Sequence, residues 1–482
     1  MFNVKLNIMN KIILLSGFLL SMYGSFAQTL VHGGLYANTT WTLANSPYIM
    51  DGSVVVFPGV TLTIEPGVEI RVRENGFSGS QFYLETRGTI NMIGKPNSLI
   101  SIRSETALTS NYAWAGIVVK NSQGGAINYD YVSISNATYA IYYDSYVPDL
   151  INLNQCEFKY NTNALVVGLE LNADSCTFIG NSNAVYGWSI FKFTNCLFDN
   201  NLQALPIYTS DLLIQDCIFT NNYYGLNISS GVYNGMYVSN TLFDNNSIAI
   251  QNANNGIVEF CTFTNNEFGV TYSNTVEIRN STFSENSTAL QVGWGTIVNN
   301  CEITGNETGV AIGPVEFGQP SPVIQNNRIC SNTNYHIDNR TDLNLFIPTN
   351  CFCSSDSTEI ESKILDGYDD FTKGLISYAI FDTTCTTVIE TVFKEPLTSV
   401  SEKESKPEVT IYPNPAAGFI IISNNTSFSR AEIIDMQGRI HTSTELATGD
   451  VQLALTEIPA GAYVVRLSGP DKNTEYKRII KL

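Results

Sequence analysis

Three charged residues fall in a pattern that could do acid–base chemistry: Glu259, Glu277 and Arg279. Glu259 and Arg279 are twenty residues apart, and Glu277 and Arg279 alternate on one extended segment. If that segment is a strand, all three side chains point out of one sheet face. Two carboxylates flanking a bond suit glycoside hydrolysis, and an Arg base beside acidic groups suits polysaccharide elimination. The plainer reading is an exposed cross-strand ion pair of small energetic value. The other ingredients of an active site are sparse. The only histidines are His32, His336 and His441, and Asp369-Asp370 lies near the end of the long central region. No nucleophile elbow, phosphate loop or paired-histidine metal motif occurs. Trp188 and Trp294 fall in turns and could stack on sugar rings, but they are about five repeats, or roughly 25 Å, apart.

The element that must position these groups is a repeat. Cys156, Cys176, Cys196, Cys217, Thr241, Cys261, Ser281 and Cys301 are spaced by 20, 20, 21, 24, 20, 20 and 20 residues. Two positions on from each stands Phe158, Phe178, Phe198, Phe219, Phe243, Phe263, Phe283 or Ile303. Five positions on stands an unbroken series: Asn161, Asn181, Asn201, Asn222, Asn246, Asn266, Asn286 and Asn306. Ala or Gly and then an aliphatic residue follow in most repeats, as in Ala164-Leu165 and Gly269-Val270.

Each unit therefore holds three short alternating segments between turn residues, and none is long enough for a helix. The expected fold is all-β: a right-handed parallel β-helix with coils of about 20 residues. A leucine-rich repeat shares the Cys-x-Phe-x-x-Asn spacing, but it needs an apolar residue two after the Asn, where this chain has Asn163, Asn183, Gln203 and Thr288. Stacking at ~4.8 Å should place Phe over Phe inside. Asn is expected to take the left-handed turn conformation while its amide bonds to the next coil.

Composition narrows the partners. The chain has 482 residues, 14% charged, with 44 Asp+Glu against 25 Lys+Arg and a formal charge of −19. That balance opposes nucleic-acid binding, and the low charge with 25 Tyr and 25 Phe opposes disorder. Six of ten cysteines fill the repeat's anchor column, where parallel Cβ vectors disfavour bridges and free buried thiols are expected. Cys330, Cys351, Cys353 and Cys385 cluster at the closing end, where one or two disulfides of open pairing could staple the cap. Their spacing is not a zinc pattern.

The ends carry an address. Residues 1–27 hold Lys5 and Lys11, an apolar run from Ile12 to Met22 and the small residues Ser25 and Ala27, which reads as a secretory signal peptide. The apolar run is shorter than the ~20 residues of a membrane span, and no transmembrane segment is expected in the mature chain. Residues 28–345 read as the β-helix, 346–393 as its closing segment and 394–408 as a charged, Pro-containing linker. Residues 409–482 read as a small β-sandwich of strands separated by turns about ten residues apart.

In that last region Tyr412-Pro413-Asn414-Pro415, Asp435-Met-Gln-Gly438-Arg439, Ile458-Pro-Ala-Gly461-Ala-Tyr463 and Lys477-Arg-Ile-Ile-Lys481 resemble the type A C-terminal sorting domain of type IX secretion. The resemblance implies a Bacteroidota-type organism, handling by the type IX machinery, and release or attachment at the outer surface through the periplasm. The run Asp51 to Gly67, Trp114-Ala-Gly-Ile117, Tyr131 to Asn136, Asn350-Cys-Phe-Cys353 and Ile364 to Asp370 resemble secreted pectin-lyase-like β-helix proteins, with Cys353 departing from the usual aromatic–glycine pair. The hydrolases of that fold carry Asn-Thr-Asp, Asp-Asp, Gly-His-Gly and Arg-Ile-Lys motifs, and the array lacks them. A monomeric polysaccharide-binding or adhesion platform without cofactor is the expectation. A polysaccharide lyase, with calcium, or a glycoside hydrolase is the alternative.

Overall fold

The computed structural model describes residues 28–385, except 75–80, 107–111, 146–149, 169, 189, 208–210, 229–234 and 315–317. It also describes 409–481 except 413–415, 425–427, 436–439, 447–448, 457, 460 and 470–473. The expected signal peptide, the linker 394–408, Pro413 to Pro415 and Gly438 lie outside the described residues. The chain divides into two compact units, Met1–Pro396 and Leu397–Leu482.

The first unit is a right-handed parallel β-solenoid of about 12 turns over residues 29–312. One coil shows the plan. Leu171–Asp174 lies in a first sheet, Thr177–Ile179 in a second and Asn183–Gly187 in a third. The next coil repeats it in register, with Leu171 on Phe191, Phe178 on Phe198 and Asn183 on Gln203. Stacking like on like gives the expected interior. Phe158 through Phe283 form one column, with neighbouring rings 4.5–5.2 Å apart at their centroids and nearly parallel. Offset stacking of this kind adds to the burial of each ring.

The bends overturn one expectation. The ladder asparagines are not the left-handed residues; the residue before each is. Tyr160, Gly180, Asn200, Asn221, Asn245, Asn265, Glu285 and Gly305 all have φ between 53° and 72°. The same holds one bend earlier, where Gln155, Ser175, Asn195, Asp216, Asn240, Phe260, Asn280 and Asn300 precede the anchors with φ of 48–55°. A single left-handed residue turns the chain sharply and aims the following side chain inward. The ladder asparagines are consequently buried. The Oδ1 of Asn181 accepts from both the backbone N–H and the Nδ2 of Asn161, at 3.0 Å each, while its own Nδ2 donates to the Phe158 carbonyl at 3.0 Å. The motif repeats from coil to coil and runs on to Asn332, which the twenty-residue spacing does not reveal because a longer coil intervenes.

The anchor column holds the expected free, buried cysteines, Cys156, Cys176, Cys196, Cys217, Cys261 and Cys301. They do more than fill space. Each Sγ–H points at the carbonyl two residues back, as from Cys196 to Thr194 at 3.2 Å. Thr241 and Ser281 donate to the equivalent carbonyls at 2.9 and 2.8 Å. A small side chain with a donor is what this bend selects, so Cys, Thr and Ser exchange freely there. At the closing end Asn327 and Asn350 take over the column and make a second amide ladder.

The closing segment covers the last coil. Ile364–Leu365 pairs with Tyr335–Asn339, and a short helix, Ser357–Glu361, is capped by the Asp356 carboxylate accepting from the Thr358 N–H. Disulfides join Cys330 to Cys353 and Cys351 to Cys385. Cys353 has φ of 56°, a left-handed backbone that favours glycine, and here it carries a bridged thiol.

The second unit packs a three-stranded and a four-stranded antiparallel sheet around one core that includes Ile420, Ile422, Ile433, Val465 and Ile479. This is the expected small sandwich.

Candidate functional site

The three charged candidates do meet, but not as expected. Arg279 Nε lies 2.8 Å from Glu259 and its other guanidinium arm 2.9 Å from Glu277. Glu259 is not exposed: only 7% of it reaches solvent. The Tyr237 hydroxyl, one coil before, donates to its Oε1, and Arg279, one coil after, covers its Oε2. Alternation along the strand correctly aims Glu259 outward, but the longer neighbours on adjacent coils close over it. The hydrogen bonds to Glu259 and then to Glu277 raise the Arg279 pKa above its already high ordinary value. A base must release its proton near neutral pH, so this environment drives Arg279 the wrong way for that role.

Several of the remaining candidates are engaged in local structure. Asp370 accepts from the N–H and hydroxyl of Thr372, and Asp369 accepts from the Asp366 N–H, so both close turns in the cap. His336 is buried and stacks 6.2 Å from Phe352, and burial pushes its pKa down to about 4. The clustered sulfurs of Cys330, Cys351 and Cys353 are taken up in bridges. Trp294 is half-buried.

The third sheet offers a different surface. In each coil two consecutive residues face inward, such as Ala164-Leu165 and Ala184-Val185, because the small residue sits at a bend in the strand. Outward side chains therefore lie three apart instead of two. The bend begins at Ala137–Tyr143, where the pairing with Trp114–Val119 shifts register between Tyr139 and Ile141. Gly116 makes this approach feasible, since a Cβ there would lie 1.5 Å from the Tyr139 carbonyl oxygen. Tyr139 and Tyr142 both emerge on the outer face, with ring centroids 5.5 Å apart.

Two outward columns pass through them. One runs Tyr139, Asn163, Asn183, Gln203, Tyr224. The other runs Tyr142, Val166, Tyr186. Trp188 follows in the adjoining turn, 40% exposed and edge-on to Tyr186. Within the first column Asn183 Nδ2 donates to Asn163 Oδ1 at 2.9 Å, which fixes both amide planes. Neither the stretch from Tyr139 to Tyr224 nor that from Tyr142 to Tyr186 carries a charge, although the second column reaches Glu85 two coils upstream. Trp188 is legible in the sequence but the tyrosines are not, because an i, i+3 pair falls on one face of a strand only where a bend breaks the alternation.

A family model described as the right handed beta helix region matches residues 184–314. A second, the secretion system C-terminal sorting domain, matches residues 410–481. This is a β-helix protein with a type IX sorting tail. No curated protein matches the chain. The sorting tail marks the protein for export to the cell surface or the extracellular space by the type IX machinery. Among the described residues no helix is long and apolar enough to cross a membrane.

The structure brings the tail's sequence motifs together. Asp435 lies opposite Tyr463, and Gly461 opposite Lys481, on neighbouring antiparallel strands, with Lys477 opposite Val465. Tyr463 is buried and its hydroxyl donates to the Pro459 carbonyl at 3.0 Å. Tyr412 ends the strand Thr410–Tyr412, and its hydroxyl donates to Asp450 at 3.0 Å.

Proposed function

We propose that this exported β-helix protein is a non-catalytic polysaccharide-binding platform whose contact surface is the aromatic–amide band of the third sheet. The observation that carries the reading is the pairing of exposed rings (Tyr139, Tyr142 and, in the adjoining turn, Trp188) with amides (Asn163 and Asn183, joined to each other, and Gln203) along an uncharged stretch of the third sheet. A pyranose ring has apolar C–H faces and a rim of hydroxyls. Flat aromatic faces suit the former, and planar amides, each both donor and acceptor, suit the latter. The rigid stack holds both groups in place before the ligand arrives, which limits the entropy lost on binding.

The alternative of a lyase or hydrolase draws less support, because Glu259, Glu277 and Arg279 satisfy one another. The test is co-sedimentation of the full chain with insoluble neutral and acidic polysaccharides, with the supernatant analysed by mass. Retention on a neutral polymer, weakened at least tenfold by Tyr142→Ala with Trp188→Ala, is the expected result. Unsaturated or hydrolysed oligosaccharides that disappear with Glu259→Gln would overturn the non-catalytic reading.

A further inference from the structure

Among the described residues the first sheet is continuous along the repeat array but opens at one place. Ala126–Asp130 pairs with the preceding strand Thr89–Ile93 at every position from Ala126↔Thr89 to Asp130↔Ile93. Toward the following strand, Ile151–Asn154, it pairs only through Asp130↔Asn154. Ile151–Asn154 in turn pairs along its full length with Leu171–Asp174. The other two sheets stay closed at the same level, with Ile134 on Phe158 and Ile141 on Leu165. Two neighbouring coils thus part on one side of the solenoid and rejoin at Asp130.

The gap is a trough of about 540 Å³, within the size range of small-ligand sites. Along its Ile127–Tyr129 wall, the backbone edge that faces the next coil has no strand laid against it among the described residues. Such N–H and C=O groups demand partners. Asn91, Asn128 and Asn152 also line the trough, and Asn128 Nδ2 donates to Asn91 Oδ1 at 2.8 Å, which orients both amides. Ile93 and Leu150 supply an exposed apolar rim, 46% and 48% accessible. Tyr143 forms part of the wall, held by a 2.9 Å hydrogen bond between its hydroxyl and that of the buried Tyr129. Burial raises both phenol pKa values, so they stay neutral. The column Thr61–Thr89–Ala126 shrinks to a methyl group at the trough, which leaves the floor clear.

We propose that this trough is a second ligand site, separate from the aromatic band, that takes one or two neutral pyranose rings such as the end of a sugar chain. Backbone and amide groups would meet the hydroxyls, and Ile93 and Leu150 the apolar ring face. Asp130, at the closed end, sets a negative group against uronic acids. The closed end also opposes an added peptide strand, which would have to run through Asp130↔Asn154. The choice of a sugar ligand rests on the glycan reading of the protein; the existence of the site rests on the sheet opening alone.

The experiment is a titration of the full chain with soluble neutral mono- and disaccharides and with galacturonate, followed by calorimetry or ligand-observed NMR. Ala126→Trp should fill the floor and abolish disaccharide binding. Asn128→Ala, at an exposed position, should weaken binding at least fivefold with unchanged circular dichroism and melting. Neither should alter retention on insoluble polymer, whereas Trp188→Ala should reduce that retention and leave disaccharide binding intact. Disaccharide binding that survives Ala126→Trp would overturn the site. So would no disaccharide binding, a preference for galacturonate, or displacement of the sugar by an extended peptide. Loss of polymer retention in the unaltered protein would overturn the platform reading instead, and the two failures read out separately.

Discussion

The same side chain does opposite work on the inside and the outside of this solenoid. Asn181 and Asn183 are two residues apart, and each stacks on its counterpart in the neighbouring coil. Asn181 is buried and engages both halves of its amide, bonding two groups of Asn161, the Asn201 amide and the Phe158 carbonyl. Asn183 faces solvent in part and, among the described residues, makes a single coil-to-coil bond that leaves amide capacity unused. The buried ladder closes the hydrogen-bonding account of a bend shut off from the surface. The outer ladder is a surface with fixed geometry and spare donors and acceptors. What separates them is the left-handed residue ahead of Asn181, which turns that side chain inward.

Four substitutions test how far this contrast holds. The largest effect is expected at Asn222, in mid-ladder. Asn222→Ala strips an acceptor from two Asn201 donors and a donor from the Phe198 carbonyl. Leaving such groups buried and unpaired should cost on the order of 3–5 kcal/mol, read as a large drop in the urea midpoint of the full chain. An unchanged midpoint would show that water enters the bend.

Next comes the closing end, where the Asn332 amide lies 3.4 Å from His336 Nδ1. The folded-state pKa of His336, about 4, is below its unfolded value of 6.5. The unfolded state therefore binds the proton first, and stability present above pH 6.5 falls as the pH drops toward 4. The loss should be on the order of 2–3 kcal/mol. Melting curves of His336→Gln should lack this window; an identical pH profile would remove His336 as its source.

Cys261→Ser should cost only about 1 kcal/mol, because Thr241 and Ser281 already make the same carbonyl bond in neighbouring coils. A cost near that of Asn222→Ala would mean that thiol packing, and not the donor, fixes the column. The native thiols should also resist alkylation, since burial pushes Cys261 and Cys301 up to about 12. The smallest effect on stability is expected at Asn183→Ala, below about 0.5 kcal/mol, with a clear loss of polymer retention. A destabilisation of several kcal/mol there would erase the distinction between the two ladders.

Much of this was written in the spacing. A strict column of Phe two after the anchor and Asn five after it can be satisfied only by stacking like residues at the strand separation, so coil, interior and register followed from the sequence. The sorting tail was legible through the resemblance of its motifs to a known sorting domain, and the structure sets them on paired strands, as Asp435 with Tyr463. The disulfide pairing was not, because four cysteines allow several connectivities until the cap's path is known.

Other features depended on contacts between coils that share no sequence pattern. Burial of Glu259 required Tyr237 and Arg279 to come from the coils on either side. The outward emergence of both Tyr139 and Tyr142 required the register shift over Gly116. The trough beside Asn128 required two coils to part and rejoin at Asp130. Local spacing determined which residues repeat, and hence the solenoid and its ladders. The distance between successive coils, a tertiary quantity, decided which of those residues are covered and which remain open to a ligand.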